Sequence, residues 1–101
     1  MKRKIIQLIV LTTLVYSNVI HVPDDQPTIQ MGIVFAANGD TVLVAPGTYT
    51  GTGNKEVDFY NKSILLLGAG GIENTIIDLE NNGRAFYIHL LEDSTSVIDG
   101  F

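Results

Sequence analysis

Residues 39–49 read GDTVLVAPGTY, in which the apolar run VLV (42–44) follows the turn-like triplet NGD (38–40). Two more apolar runs follow at an even spacing, ILL at 64–66 and FYI at 86–88. Each comes directly or nearly directly after its own triplet, YNK at 60–62 and NGR at 82–84. Turn and strand therefore return together, which is typical of stacked supersecondary units.

A second pair of segments repeats at a similar distance. TIID at 75–78 is followed by SVID at 96–99. A period of about 20–25 residues is too short for a helix-pair repeat, and β-branched runs broken by Gly and Asn favour strands. The sequence therefore predicts an all-β fold, a right-handed parallel β-helix (solenoid) of about three coils.

Side-chain alternation along the first set of strands predicts which residues face the interior of the solenoid. The predicted inward residues are Val42, Val44, Ile64, Leu66, Phe86 and Ile88. The predicted outward residues are Leu43, Leu65 and Tyr87.

The N-terminus has the composition of a secretory signal peptide. Three basic residues at 2–4 precede the uncharged, mostly apolar stretch 5–20. Val15 and Ser17 suit a signal peptidase, so we expect residues 1–17 to be the signal peptide and the mature chain to begin at about Asn18. The alternatives are an uncleaved membrane anchor, which would be the chain's one membrane contact, and a buried core helix.

The mature chain is acidic. Without residues 1–17 it keeps three basic residues against all eleven acidic ones, a net charge of −8. Such a chain has no basic stripe to follow phosphates, so we expect no nucleic-acid partner. The same charge would repel an anionic polysaccharide unless a metal ion such as Ca²⁺ lay between them. Cysteine is absent, so no disulfide or thiolate metal site stabilises the fold.

Residues 18–39 are predicted to form an N-terminal cap with a short helix. Pro27 suits a first helical turn, and Asp24 or Asp25 can accept hydrogen bonds from free backbone N–H groups there. Gly39 is expected to end the helix. An apolar stripe along it would cover the otherwise unpaired end of the solenoid. The stripe consists of Ile29, Ile33 and Ala36 or Ala37.

Three residues of this helix depart from the expected pattern. Gly32 costs about 1 kcal/mol of helix propensity relative to Ala. Val34 and Phe35 make the helix apolar on more than one side, and we expect residues before Pro23 to cover them, the alternative being an exposed apolar patch.

Two blocks, VPDDQPTIQ at 22–30 and GDTVLVAPGTY at 39–49, resemble the start of pectate-lyase-like right-handed parallel β-helix proteins. NTIID at 74–78 also resembles a coil pattern of secreted members of that superfamily. The resemblance implies a capping segment followed by the first coils. It implies no single activity, because polysaccharide lyases, surface adhesins and other exported proteins share this opening.

Few residues are candidates for chemistry. A polysaccharide lyase needs a cation or metal beside the substrate carboxylate and a base, often Arg or Lys. The available cations are Lys55, Lys62 and Arg84. Lys62 and Arg84 have the same spacing as the apolar runs and lie at equivalent predicted corners, which favours solvated surface charges. We therefore assign no catalytic and no cofactor-binding residue in this segment.

Metal binding has one candidate set. Asp78 and Asp99 end the two similar segments and, with Asp58, are Ca²⁺ candidates, because calcium takes six to eight oxygen ligands. The alternative is that these aspartates form turns by accepting from their own backbone. His89 shares the outward face of Tyr87 and is interpreted as a surface imidazole, and the acidic pair at 92–93 as a hydrated loop.

Together these patterns divide the chain into a signal peptide, a cap and coils at 40–101 that we expect to be truncated and open at the C-terminal end. The predicted function is that of an N-terminal segment of an exported β-helix protein, extracellular, cell-surface or periplasmic. In itself this segment would be a non-catalytic scaffold that binds an extracellular polysaccharide or a cell-surface component. The alternative is the first part of a polysaccharide lyase or hydrolase whose active site lies beyond residue 101.

Overall fold

The computed structural model describes residues 17–87 and 96–101. Within them are one short helix and eight short strands, all paired in parallel. The elements are β1 (Val19–Val22), α1 (Ile29–Phe35), β2 (Thr41–Val44), β3 (Gly47–Tyr49), β4 (Val57–Asp58), β5 (Leu65–Gly68), β6 (Thr75–Ile77), β7 (Phe86–Tyr87) and β8 (Val97–Asp99). They form a four-stranded sheet β1-β2-β5-β8 and two pairs, β3-β6 and β4-β7. The described chain is thus strand-rich, with parallel sheets, one helix and no closed barrel.

The strand register differs from the predicted even repeat. Val42 lies opposite Leu66, and Phe86 lies opposite Val57 in a different sheet. The predicted ladder through residues 42, 64 and 86 is therefore wrong. The separation along the chain between partners differs from one strand pair to the next, because the loops between strands differ in length and no single period fits the chain.

The second predicted ladder is also wrong. Strand β6 pairs with β3, so that Ile76 lies opposite Thr48, whereas β8 pairs with β5, so that Ile98 lies opposite Leu66. The similar segments at 75–78 and 96–99 belong to different sheets. They are alike because both are short β-branched strands that end at or next to an aspartate.

The predicted interior face is confirmed for the apolar runs at 42–44 and 64–66, which lie in or next to β2 and β5. Four of the predicted inward residues are each at most 1% exposed: Val42, Val44, Ile64 and Leu66. Phe86 is partly buried and packs against this core, and Ile88 lies outside the described residues.

The predicted outward residues are more accessible than the inward ones. Leu65 and Tyr87 are 36% and 40% exposed, and Leu43 is half-buried. The faces survive the register error because a shift of two positions leaves every side chain on the same side of its strand.

The buried core joins the helix to the strands. Its residues are Val22, Ile29, Ile33, Ala36, Val42, Val44, Val57, Phe59, Ile64 and Leu66. The predicted helical stripe of Ile29, Ile33 and Ala36 is thus confirmed. Helix α1 packs against β1, β2 and β4, and so covers one end of this core.

The ends of the helix differ from the prediction. Thr28 is the N-cap, and its hydroxyl oxygen accepts from the backbone N–H of Met31 at 3.2 Å. Neither Asp24 nor Asp25 takes that place, because the helix begins only at Ile29 and Thr has the short oxygen-bearing side chain that a cap requires. At the other end Ala36, not Gly39, is the C-cap.

Gly32 is buried where the helix crosses the strands. A Cβ atom at this position would lie 2.9 Å from Val42 Cγ1 and 3.0 Å from Val22 Cγ2. Such distances are shorter than ordinary carbon contacts. The propensity cost of this glycine is therefore offset by the close approach of the helix to β1 and β2.

We expect Gly32→Ala to lower the free energy of unfolding by about 1 kcal/mol, although alanine is the better helix former. Overpacking of a filled core costs about 1–3 kcal/mol, which exceeds the gain of about 1 kcal/mol in propensity. Urea unfolding followed by circular dichroism measures the difference. Met31→Ala is the matched control, because Met31 is 37% exposed on the same helix. A Gly32→Ala protein more stable than wild type would contradict the close approach.

Val34 and Phe35 remain on the surface. They are 42% and 60% exposed, and residues 19–22 pair with β2 instead of covering them. Among the described residues before Pro23, none supplies the expected cover.

Gln30 fixes the helix to β4 by imitating a strand. Its Nε2 donates to the Asp58 carbonyl oxygen at 2.8 Å, and its Oε1 accepts from the Asp58 N–H at 2.8 Å. One side-chain amide thus satisfies both backbone groups of a strand residue whose other neighbour is β7. The Gln30 side chain thus occupies the hydrogen-bonding edge of β4 that faces away from β7.

Candidate functional site

The three calcium candidates are not brought together. Asp58 lies in β4, Asp78 follows β6, and Asp99 ends β8, so each belongs to a different sheet. The predicted equivalence of Asp78 and Asp99 is wrong, because β6 pairs with β3 whereas β8 pairs with β5. Among the residues that the structure describes, no group of three or more His, Asp or Glu side chains is placed to hold a metal ion.

Two of these aspartates form turns. The Oδ1 atom of Asp58 accepts from the N–H of Tyr60 at 2.8 Å, and that of Asp78 accepts from the N–H of Glu80 at 2.9 Å. A carboxylate that accepts from the residue two positions later is the usual Asx-turn arrangement. Tyr60 and Glu80 have positive φ angles of 52° and 55°, which such turns stabilise.

Lys62 is not a solvated corner charge. Its Nζ donates to the carbonyl oxygens of Ile33 at 2.9 Å, Val34 at 2.8 Å and Ala36 at 2.8 Å. The last carbonyls of a helix have no partner within the helix, and a lysine there satisfies them. Lys62 is therefore a structural clamp on the C-terminal end of α1.

Arg84 has a different environment from Lys62. Its Nε donates to Glu56 Oε1 at 3.0 Å, and its backbone N–H donates to Glu56 Oε2 at 3.3 Å. Its guanidinium carbon lies 4.5 Å from the centre of the Tyr87 ring. The ion pair and the cation–π contact together hold this cation in one place on the surface.

These contacts define an exposed polar and aromatic surface on the β4-β7 sheet, which we call the outer-face patch. It consists of Glu56, Asp58, Arg84 and Tyr87. Asp58 and Tyr87 are partners in the strand register, so their side chains lie on the same face of the sheet. The Arg84 and Glu56 side chains are 61% and 48% exposed.

A groove of about 490 Å³ adjoins the patch at Glu56. Its lining residues come from the start of α1 and from the loop before β4: Thr28, Gln30, Met31, Thr52, Gly53, Lys55 and Glu56. Lys55 donates to the Asn82 carbonyl oxygen at 3.3 Å across the loops. The groove is thus lined by two threonines, one lysine and one glutamate together with the apolar Met31.

A second pair of ionisable groups lies at the turn after β1. The N–H of His21 donates to Asp25 Oδ2 at 2.8 Å, and its ring Nδ1 is 3.2 Å from the same oxygen. The backbone N–H bond, followed by the ring contact, lowers the pKa of Asp25. Both side chains are more than half exposed, so this pair lies on the surface of the turn.

The sequence did not indicate Glu56 or Gln30. Glu56 could have been suspected as a partner of Arg84 because their charges are opposite. The predicted coil is shorter than the 28 residues that separate them, so it would not have placed them side by side. Gln30 carried no signal, because its role depends on the position of β4. His89 and the acidic pair at 92–93 lie outside the described residues.

In the described part of the chain, no helix has the length and apolar character needed to span a bilayer. Comparisons with protein-family models, with curated proteins and with solved structures gave no match for this chain. Any function of the patch and groove must therefore be argued from the side chains that form them.

Proposed function

We propose that this chain is the N-terminal segment of an exported right-handed parallel β-helix protein, and that its outer-face patch binds neutral carbohydrate. The winding is supported by the order in which strands join the sheets. From β2 onward the chain visits the four-stranded sheet, then β3-β6, then β4-β7, and repeats that order before it returns at β8. Parallel crossovers are right-handed in about 98% of cases, which favours a right-handed coil.

The observation that carries the binding function is the stacked Arg84–Tyr87 pair beside two carboxylates. The Arg84 guanidinium covers one face of the Tyr87 ring, and the residue is still 40% exposed. Its remaining apolar carbons and its hydroxyl match the apolar face and the edge hydroxyls of a sugar ring. Glu56, Asp58 and Arg84 supply acceptors and donors around that plane. Fixed polar groups around an apolar surface give orientation as well as contact area.

The negative charge of the chain favours neutral glycans over acidic ones. Its acidic excess repels uronate-rich polymers at ordinary ionic strength, whereas neutral polymers meet no such penalty. Export, expected from residues 1–17, would bring the patch to extracellular or surface glycans.

We expect Tyr87→Ala to weaken binding of a neutral oligosaccharide about fivefold, since loss of one aromatic contact is worth on the order of 1 kcal/mol. Isothermal titration of the full chain with xylohexaose and cellohexaose measures the change. Phe35→Ala is the matched control, because Phe35 is an exposed aromatic residue on the helix.

Three results would count against the proposal. Binding of neither hexasaccharide by the wild-type chain would remove the carbohydrate function, and equal weakening by Tyr87→Ala and Phe35→Ala would remove the patch as its site. Release of unsaturated ends from polygalacturonate would instead favour the lyase alternative.

A further inference from the structure

Asp40 is a buried carboxylate without an ion-pair partner among the described residues. It is 5% exposed, and its oxygens accept two backbone N–H groups. Oδ1 accepts from Asn18 at 2.9 Å, and Oδ2 accepts from Ala37 at 2.8 Å. Buried charges in proteins are usually paired. The nearby Lys62 directs its ammonium to the helix carbonyls instead.

Asn18 is held at this carboxylate from both of its backbone groups. Its N–H donates to Asp40, and its carbonyl oxygen accepts from the N–H of Thr41 at 2.9 Å. Ser17 and Asn18 are nonetheless exposed, so the peptide bond between them is accessible. The signal-peptide pattern, with Val15 and Ser17, predicts cleavage at this same bond.

We propose that cleavage between Ser17 and Asn18 by an export endopeptidase places the new α-ammonium group of Asn18 on the Asp40 carboxylate. In this step water adds across the peptide bond: the carbonyl carbon of Ser17 gains the oxygen and becomes a carboxylate, and the nitrogen of Asn18 gains protons and becomes an ammonium group. The inference rests on the export that the proposed function includes.

The geometry suits the new group. The nitrogen that now donates one hydrogen bond at 2.9 Å would donate a charge-assisted one from the same place, and such bonds are about twice as strong as neutral ones. The other two hydrogens of the ammonium group would face solvent, since Asn18 is exposed. Processing would thus give the buried carboxylate its ion pair and fix the start of β1.

The carboxylate is already prepared for a cation. The Asn18 N–H, then the Ala37 N–H, and to a smaller extent the positive charge of Lys62 lower the pKa of Asp40 against the opposing effect of burial. Asp40 is therefore ionised at neutral pH. Among the described residues, Lys62 is the charged side chain whose electrostatic field lowers its pKa.

The first measurement is the N-terminus of the exported protein. The full chain, residues 1–101, is expressed in a secreting host, and intact mass with N-terminal sequencing identifies the first residue. We expect Asn18. A different first residue would overturn the inference and leave carbohydrate binding untouched, whereas absence of any processing or export would overturn the export in the proposed function as well.

The second measurement is the titration of the new α-amino group. Its ordinary pKa is about 7.7–8.0, and the Asp40 carboxylate raises it in the folded state. We expect the half-point for acylation of Asn18 by a water-soluble ester to lie at least one pH unit higher in the native protein than in the same protein in urea. Equal half-points would overturn the inference even if no Asp40 variant folds.

The pH dependence of stability has a defined sign. A group whose pKa is raised by folding contributes stability below its unfolded pKa and loses it as the pH rises through its folded pKa. The melting temperature of the exported protein should therefore fall between about pH 8 and pH 10 more steeply than that of exported Asp40→Asn. Parallel pH profiles for the two proteins would contradict the ion pair.

Discussion

Replacing Phe59 with alanine is expected to lower the free energy of unfolding by about 3–5 kcal/mol, as the loss of a buried aromatic ring usually does. Phe59 is 2% exposed and is among the largest fully buried side chains. Its ring meets that of Phe86 edge-on, with centroids 6.4 Å apart, and Phe86 meets Phe101 in the same way at 6.5 Å. Removing the first ring leaves a cavity and ends this aromatic row.

The matched control for Phe59→Ala is Phe35→Ala. It deletes the same number of atoms from a ring that is 60% exposed, so it should change stability by no more than about 0.5 kcal/mol. Urea unfolding followed by circular dichroism compares both variants with wild type. A loss of similar size in both would mean that Phe59 is not part of a closely packed core.

The interior of the fold was predictable because it depends on a local property. Alternation along a strand assigns each side chain to a face without reference to the partner strand. Val42, Val44, Ile64 and Leu66 were therefore assigned correctly although the predicted pairing of these strands was shifted by two positions. The helical stripe was predictable for the same reason, since its period is set within the helix.

Strand pairing was not predictable, because it depends on loop lengths that carry no periodic signal. The apolar runs that begin at 42, 64 and 86 are evenly spaced, yet only the first two share a sheet. A short extra strand at Val57 takes Phe86 as its partner instead. The two residues of β4 provided too little alternation for it to be recognised from the sequence.

The candidate site was missed for the same reason. Arg84 and Lys62 were predicted to be equivalent because their spacing matches that of the apolar runs, but Arg84 lies beside Glu56 and Tyr87 whereas Lys62 lies at the end of α1. Contacts between successive strands of the β4-β7 sheet join positions that are farther apart along the chain than the predicted coil. Only the correct register places Arg84, Glu56 and Tyr87 on one surface.

The second large effect is expected at Lys62. Lys62→Met keeps most of the length and the apolar stem of the side chain but removes the ammonium group that binds three helix carbonyls. Hydrogen bonds to charged groups are worth about 1.5–3 kcal/mol, and water replaces part of the loss at this half-exposed position. We therefore expect the free energy of unfolding to fall by about 2–3 kcal/mol, measured by urea unfolding.

Lys55→Met is the matched control for this substitution. Lys55 also has a half-exposed side chain, but its ammonium makes one long hydrogen bond, to the Asn82 carbonyl oxygen at 3.3 Å. Its loss should cost no more than about 0.5 kcal/mol, although the change in net charge is identical. Equal effects of the two variants would indicate that net charge, and not the clamp on α1, governs the stability of this acidic chain. A large effect at Lys62 alone would mean that the helix is held on the strands by a residue that follows β4, so that the cap folds together with the strands it covers.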